Sequence, residues 1–83
     1  MTRILFFGRL SDVAGCGEKR VDLPREVRTV GDLRAWLARS DDVLAAHIRL
    51  ASVRAAVDRV MCDDLASILG AEEIAFMSPL SGG

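Results

Sequence analysis

The spacing of apolar positions changes several times along the chain, and each change marks an element. "MTRILFFG" opens with a short apolar run of β-favouring residues stopped by Gly8 and Arg9, which predicts a strand over 1–8. Along it Ile4 and Phe6 share one face while Leu5 and Phe7 share the other. Residues 10–14 predict a single helical turn, closed by Gly15 in "GCG". Over 18–23, Val21 and Leu23 alternate with Arg20 and Asp22, a second strand ended by Pro24. The period becomes helical in "TVGDLRAWLARS". Thr29 and Asp32 form a capping pattern, with the carboxylate placed at the positive end of the helix. Val30, Leu33, Trp36 and Leu37 then line one face, and Trp36, the largest, is expected to contribute most to the core. Arg34, Arg39 and the alanines fill the remainder.

Beyond this helix, 41–49 predicts a second short helix beginning near Asp42. Two short strands, 53–57 and 60–62, flank a tight turn at Asp58-Arg59, where Asp58 suits a turn better than Arg59 does. Residues 65–69 predict a helical turn before Gly70. The last strand spans 73–78, with Ile74 and Phe76 pointing inward and Pro79 closing it. The result is an α+β chain, one sheet covered on one side by one main helix. If Ile4, Phe6, Ile74 and Phe76 face that helix, then Leu5, Phe7, Ala75 and Met77 face away from it, and Met61 adds to the same patch. An open sheet face ordinarily reads as polar. Contiguous exposed apolar surface marks a partner site, to which methionine adapts well. The alternative is that the segment in the 40s covers Leu5 or Phe7.

Composition narrows the function classes. Eighty-three residues make one domain, 1–83, and at 51% apolar and 28% charged that domain is globular. A net charge of −1 offers no basic stripe for nucleic acid. The N-terminal apolar run is too short for a signal peptide or a membrane span. Cys16 and Cys62 sit in unlike contexts without metal-ligand spacing, so free thiols and a cytoplasmic location are expected. His47, the only histidine, has no nucleophile or carboxylate placed beside it by a motif. The Asp41-Asp42 and Asp63-Asp64 pairs lack the spacing of a calcium loop, and Gly8, Gly15 and Gly17 do not make a phosphate cradle. No metal site and no cofactor bound by the chain is expected. On its side chains alone the chain is not an enzyme.

The chemistry lies in the tail, 79–83. Gly82 and Gly83 lack Cβ atoms and can thread a channel closed to other residues. Ser81 and Pro79 keep the exit extended, and Pro79, Leu80 and Ser81 are expected to touch a partner there. The reactive group is the α-carboxylate of Gly83. A carboxylate is a poor electrophile until an ATP-dependent partner converts it to an acyl-adenylate, from which AMP departs readily.

These segments resemble a known family. The opening "ILFFGRLSDVAG", the helix "TVGDLRAWLA", the "AAVDRVM" hairpin and the closing "EEIAFMSPLSGG" are similar, in the same order, to the small subunit of molybdopterin synthase, the MoaD family. The resemblance implies a ubiquitin-like β-grasp, a mixed sheet of about five strands covered on one face by one main helix. It implies that an E1-like adenylating enzyme activates Gly83 with ATP and that sulfur from a donor protein then replaces one carboxylate oxygen, giving a thiocarboxylate. The tail would enter the large synthase subunit, in an assembly of two small and two large chains, and give its sulfur to a cyclic pterin precursor. The acid–base groups would be those of the large subunit. Carried over by position, Gly82 and Gly83 match the functional tail, and Phe7, Met61 and Met77 fall where the family places apolar partner contacts. Ser78 stands where a second proline is common. Three other readings stay open: a β-grasp sulfur carrier for thiazole formation, tRNA thiolation or cysteine synthesis, a ubiquitin-like protein modifier, and an interaction domain whose Gly-Gly has no role.

Overall fold

Strands from the two ends of the chain pair in parallel at the centre of the sheet. The computed structural model describes residues 1–79. Its elements are β1 (Thr2–Phe7), α1 (Arg9–Ala14), β2 (Glu18–Val21), α2 (Val30–Ser40), α3 (Asp42–Ile48), β3 (Arg54–Val57), β4 (Val60–Cys62) and β5 (Glu73–Met77). The sheet order is β2-β1-β5-β3-β4, with β1 parallel to β5 and the other neighbours antiparallel. This mixed five-stranded sheet with helices on one face is the ubiquitin-like β-grasp. Ile4, Phe6, Ile74 and Phe76 point into the core with Val30, Leu33 and Leu37 of α2, as their alternation predicts.

The capping box forms as expected. The Asp32 N–H donates to Thr29 Oγ1 at 3.1 Å, and Asp32 Oδ2 accepts from the N–H groups of Arg28 and Thr29 at 3.0 and 3.3 Å. The next donors of the first turn are met from outside the helix: Val30 N–H donates to the Ala66 carbonyl at 3.1 Å and Gly31 N–H to that of Asp64 at 2.9 Å.

That arrangement explains one departure from the sequence expectation. Residues 65–69 are not a helical turn but a looped segment strapped along the start of α2, with Ser67 bridging to Thr29. The Ala66 carbonyl caps α2, and the Ile68 N–H donates to the Arg28 carbonyl at 3.0 Å, so the segment bonds across to the start of α2 and not into a helical turn of its own. Ile68 is buried as its anchor, while Leu65 and Leu69 are 86% and 71% exposed.

A second departure concerns α2. Trp36 is only partly buried at the margin of the core. Successive helical residues are rotated by about 100°, so positions 30, 33, 34 and 37 bracket the sheet-facing line and 36 falls on the flank. The fourth residue of that set is Arg34, 9% exposed. Its guanidinium lies 5.5 Å from the centre of the Phe76 ring. It donates to the carbonyls of Ile48 and Val53 at 2.6 Å each and reaches Asp64 at 2.8 Å. Arg34 thereby ties α2 to the end of α3, the approach to β3 and the 60s loop. The expectation that it merely fills the polar side of the helix is corrected.

Smaller differences lie at element ends. The strands expected over 1–8, 18–23, 53–57 and 73–78 each lose one or two terminal residues, and α1 and α3 join α2 in covering the sheet. Asp58 and Arg59 both take positive φ, 47° and 71°, as a tight hairpin turn requires. Asp58 stabilises the turn by accepting the N–H groups of Glu72 and Glu73 on its Oδ1, each at 3.0 Å.

Candidate functional site: the open sheet face and the root of the tail

The strand register organises the uncovered face into rows. Nearest the end of β5, Met77 lies between Phe7 of β1 and Arg54 of β3. The next row runs Leu5, Ala75, Ala56, Met61. The last pairs Arg3 with Glu73 and Arg20. The expected outward set is therefore correct in direction, and Met61 joins it through its register with Ala56. Phe7 and Met61 are 50% and 55% exposed, and Leu5 and Met77 are partly buried. Ala75 faces this side yet is buried, as is Ala56, because methyl side chains sit below the level of their larger neighbours. The segment in the 40s does not cover the patch: α3 packs against α1 and α2, on the opposite side of the sheet.

The two ends of this face differ in charge pairing. Arg3 bonds Glu73 at 3.1 Å and lies 3.8 Å from Glu18, which in turn lies 3.5 Å from Arg20. Arg54, beside Met77, makes no ion pair among the described residues, nor does Arg9 just past β1.

At the root of the tail, Ser78 Oγ accepts the Arg9 N–H at 2.9 Å and lies 3.3 Å from the Phe7 carbonyl. Pro79, exposed, follows. Behind it a cleft of about 170 Å³ is lined by Leu10, His47, Leu50, Val53 and Ser78. Leu80, Ser81, Gly82 and Gly83 lie outside the described residues.

The polar residues weighed from sequence have structural duties. His47 Nδ1 is 3.1 Å from the Val43 carbonyl one turn earlier in its own helix. Asp41 caps α3 by accepting from Val43 and Leu44 N–H. Asp63 accepts from Leu65 N–H, and Asp64 pairs with Arg34. Cys16 and Cys62 are free thiols, each partly buried. Among the described residues, no group of three or more His, Cys, Asp or Glu could hold a metal ion, and no helix is long and apolar enough to cross a membrane. Sequence reasoning missed two residues that shape the site. Ser78 and Gly8 reveal their contact only through the pairing of the chain's two ends.

Two solved structures share this architecture, both of small archaeal modifier protein 1 (SAMP1) from Haloferax volcanii. One superposes with a TM-score of 0.81 at 23% identity, covering 99% of this chain and 98% of that one. The other gives 0.77 at 21%, covering 94% and 95%. No curated protein matches the chain. The ThiS family matches residues 4–83, a span that takes in all of the sheet except the first two residues of β1, together with the Gly-Gly tail. The chain belongs to the ThiS family of small ubiquitin-like sulfur carriers.

Proposed function

We propose that this protein is a sulfur carrier acting as the small subunit of molybdopterin synthase, with Gly83 as the carrying residue. The observation that supports it best is the apolar row Phe7–Met77 on the open face, immediately beside the root of the Gly-Gly tail. A protein that must present its end to several partners needs a docking surface and a reactive terminus in one rigid frame. The Gly83 carboxylate attacks the α-phosphorus of ATP on an E1-like enzyme, releasing pyrophosphate. Sulfide delivered by a donor protein then attacks the acyl carbon and AMP leaves, giving the thiocarboxylate. A thiocarboxylate is anionic near neutral pH and more nucleophilic than a carboxylate. Its sulfur attacks a carbon of the pterin precursor in the pocket of the large subunit, displacing an oxygen substituent, in a complex of two small and two large chains in the cytoplasm. Water then cleaves the resulting thioester, leaving the sulfur on the pterin and restoring the Gly83 carboxylate. Phe7, Met61, Met77, Pro79, Leu80 and Ser81 meet the partners, and Gly82 threads the channel. This chain supplies the sulfur and binds no cofactor of its own.

The test is reconstitution. The thiocarboxylated chain, mixed with the large subunit and the cyclic pterin precursor, is expected to yield the dithiolene product with two carriers consumed per product. A charged chain that binds the large subunit without product would move the assignment to another sulfur-accepting pathway.

The name of the two SAMP1 structures favours a second reading, a modifier whose Gly83 forms isopeptides with lysines of targets. Conjugates that vanish on deletion of Gly83 would support it. Lys19 is the only lysine in the chain, so self-conjugation has one side-chain acceptor.

A further inference from the structure

The parallel ladder of β1 and β5 ends with Phe7 opposite Met77. Beyond that pair the strands part: β1 bends through Gly8 into α1, and the chain leaves β5 through Ser78 and Pro79. Gly8 takes φ +66° and ψ −140°, a conformation that residues with side chains rarely adopt. The bend turns the Phe7 carbonyl and the Arg9 N–H toward one point, and the Ser78 hydroxyl occupies it. Oγ accepts from Arg9 N–H at 2.9 Å and donates to the Phe7 carbonyl at 3.3 Å. There is room for it only because residue 8 has no side chain, since a Cβ there would stand 2.6 Å from Ser78 Oγ. A single hydroxyl thus continues, by side chain, the strand pairing that the backbone has stopped making.

Both bonds are near solvent, so their share of the global stability is small. Their geometric effect is larger. They pin residue 78 to the same rigid frame as Phe7 and Met77, and Pro79, with its fixed φ, follows at once.

We infer that Ser78 is a positioning residue, clamping the root of the tail so that Gly83 is presented in a set direction from the docked sheet face. The inference rests on the reading that the Gly83 carboxylate is adenylated. With residue 78 pinned, docking of the body carries the tail's starting point to one place on the partner. With it released, more docked complexes hold the carboxylate away from the attacked phosphorus. Orientation lost after docking lowers kcat and leaves KM nearly unchanged.

The test is ATP–pyrophosphate exchange by the E1-like enzyme with wild type, Ser78→Ala and Ser78→Thr, together with the Tm of each and the hydrogen-exchange rate of the Arg9 amide. Removing the hydroxyl is expected to speed exchange of the Arg9 amide and to lower kcat by about three- to tenfold at constant KM and Tm. Threonine, which keeps the hydroxyl, is expected to restore both. A Ser78→Ala chain equal to wild type in kcat overturns the clamp, as does a loss confined to KM or one that threonine leaves unrepaired. Wild type that supports no exchange counts against the adenylation reading itself. In that case an Arg9 amide unchanged by Ser78→Ala still refutes the clamp on its own.

Discussion

The two ends of the open sheet face share β1 and β5 but differ in whether their side chains find partners within the chain. At the Arg3 end, Arg3, Glu18, Arg20 and Glu73 form a self-contained charge network. At the Phe7 end, Phe7 is half exposed, as is Met61 in the adjoining row, and Arg54 stands beside Met77 without an ion pair among the described residues. The first end is satisfied by folding alone. The second is not, and it is the end from which the tail departs. Where a surface is left unsatisfied next to the root of the tail, association can complete it.

The contrast can be broken in several ways. The largest effect is expected from Phe7→Asp, which puts a charge at the centre of the unsatisfied end. Binding to the large subunit should weaken by about 2–4 kcal/mol, roughly 30- to 1000-fold, read by calorimetry or surface plasmon resonance. Because Phe7 is half exposed, Tm should barely change. Binding that survives would mean the docking surface lies elsewhere.

On the covered side the effect should be the reverse. Arg34→Met removes the donors that hold the Ile48 and Val53 carbonyls and leaves the open face untouched. A stability loss of about 3 kcal/mol is expected in urea unfolding, with partner affinity unaltered under conditions where the variant remains folded. A variant as stable as wild type would show that the apolar packing around Phe76 dominates this site. Arg3→Ala, at the satisfied end, should cost no more than about 0.5–1 kcal/mol, since Arg3 is partly exposed, and should not alter binding.

The smallest effect is a pH dependence. The N–H of Arg28, foremost, and the amide and hydroxyl of Thr29 hold the Asp32 carboxyl below its ordinary value of 3.8. The folded state therefore favours the ionised form. Its contribution is fully present above the unfolded value and fades as pH falls through the lower folded one. Asp32→Asn should flatten the acid limb of a Tm-against-pH curve, and an unchanged limb would assign acid sensitivity to other carboxylates.

Much of this was legible in the sequence where local chemistry and packing agree. The capping box, the inward set on β1 and β5, and the Asp58-Arg59 turn are each specified by neighbours in the chain. Where the two part company, the structure departs from the pattern. Leu65 and Leu69 carry a helix-like spacing, yet the segment straps across α2 and it is Ile68 that turns inward. Trp36 has the bulk of a core residue and the wrong angular position. Arg34 has the charge of a surface residue and the right one, and its acceptors come from distant elements that no local window contains. Likewise the open face followed from alternation alone, but the contact of Ser78 with Gly8 needed the pairing of β1 with β5.

Whether the chain's chemistry resides on Gly83 is decided by intact-mass spectrometry. The protein is incubated with ATP, the E1-like enzyme and a sulfide source, and its terminal peptide is sequenced by fragmentation. The expected result is the mass gain of one sulfur replacing one oxygen, confined to Gly83 and dependent on ATP. An unchanged mass, or a gain carried by Cys16 or Cys62 instead, would contradict it.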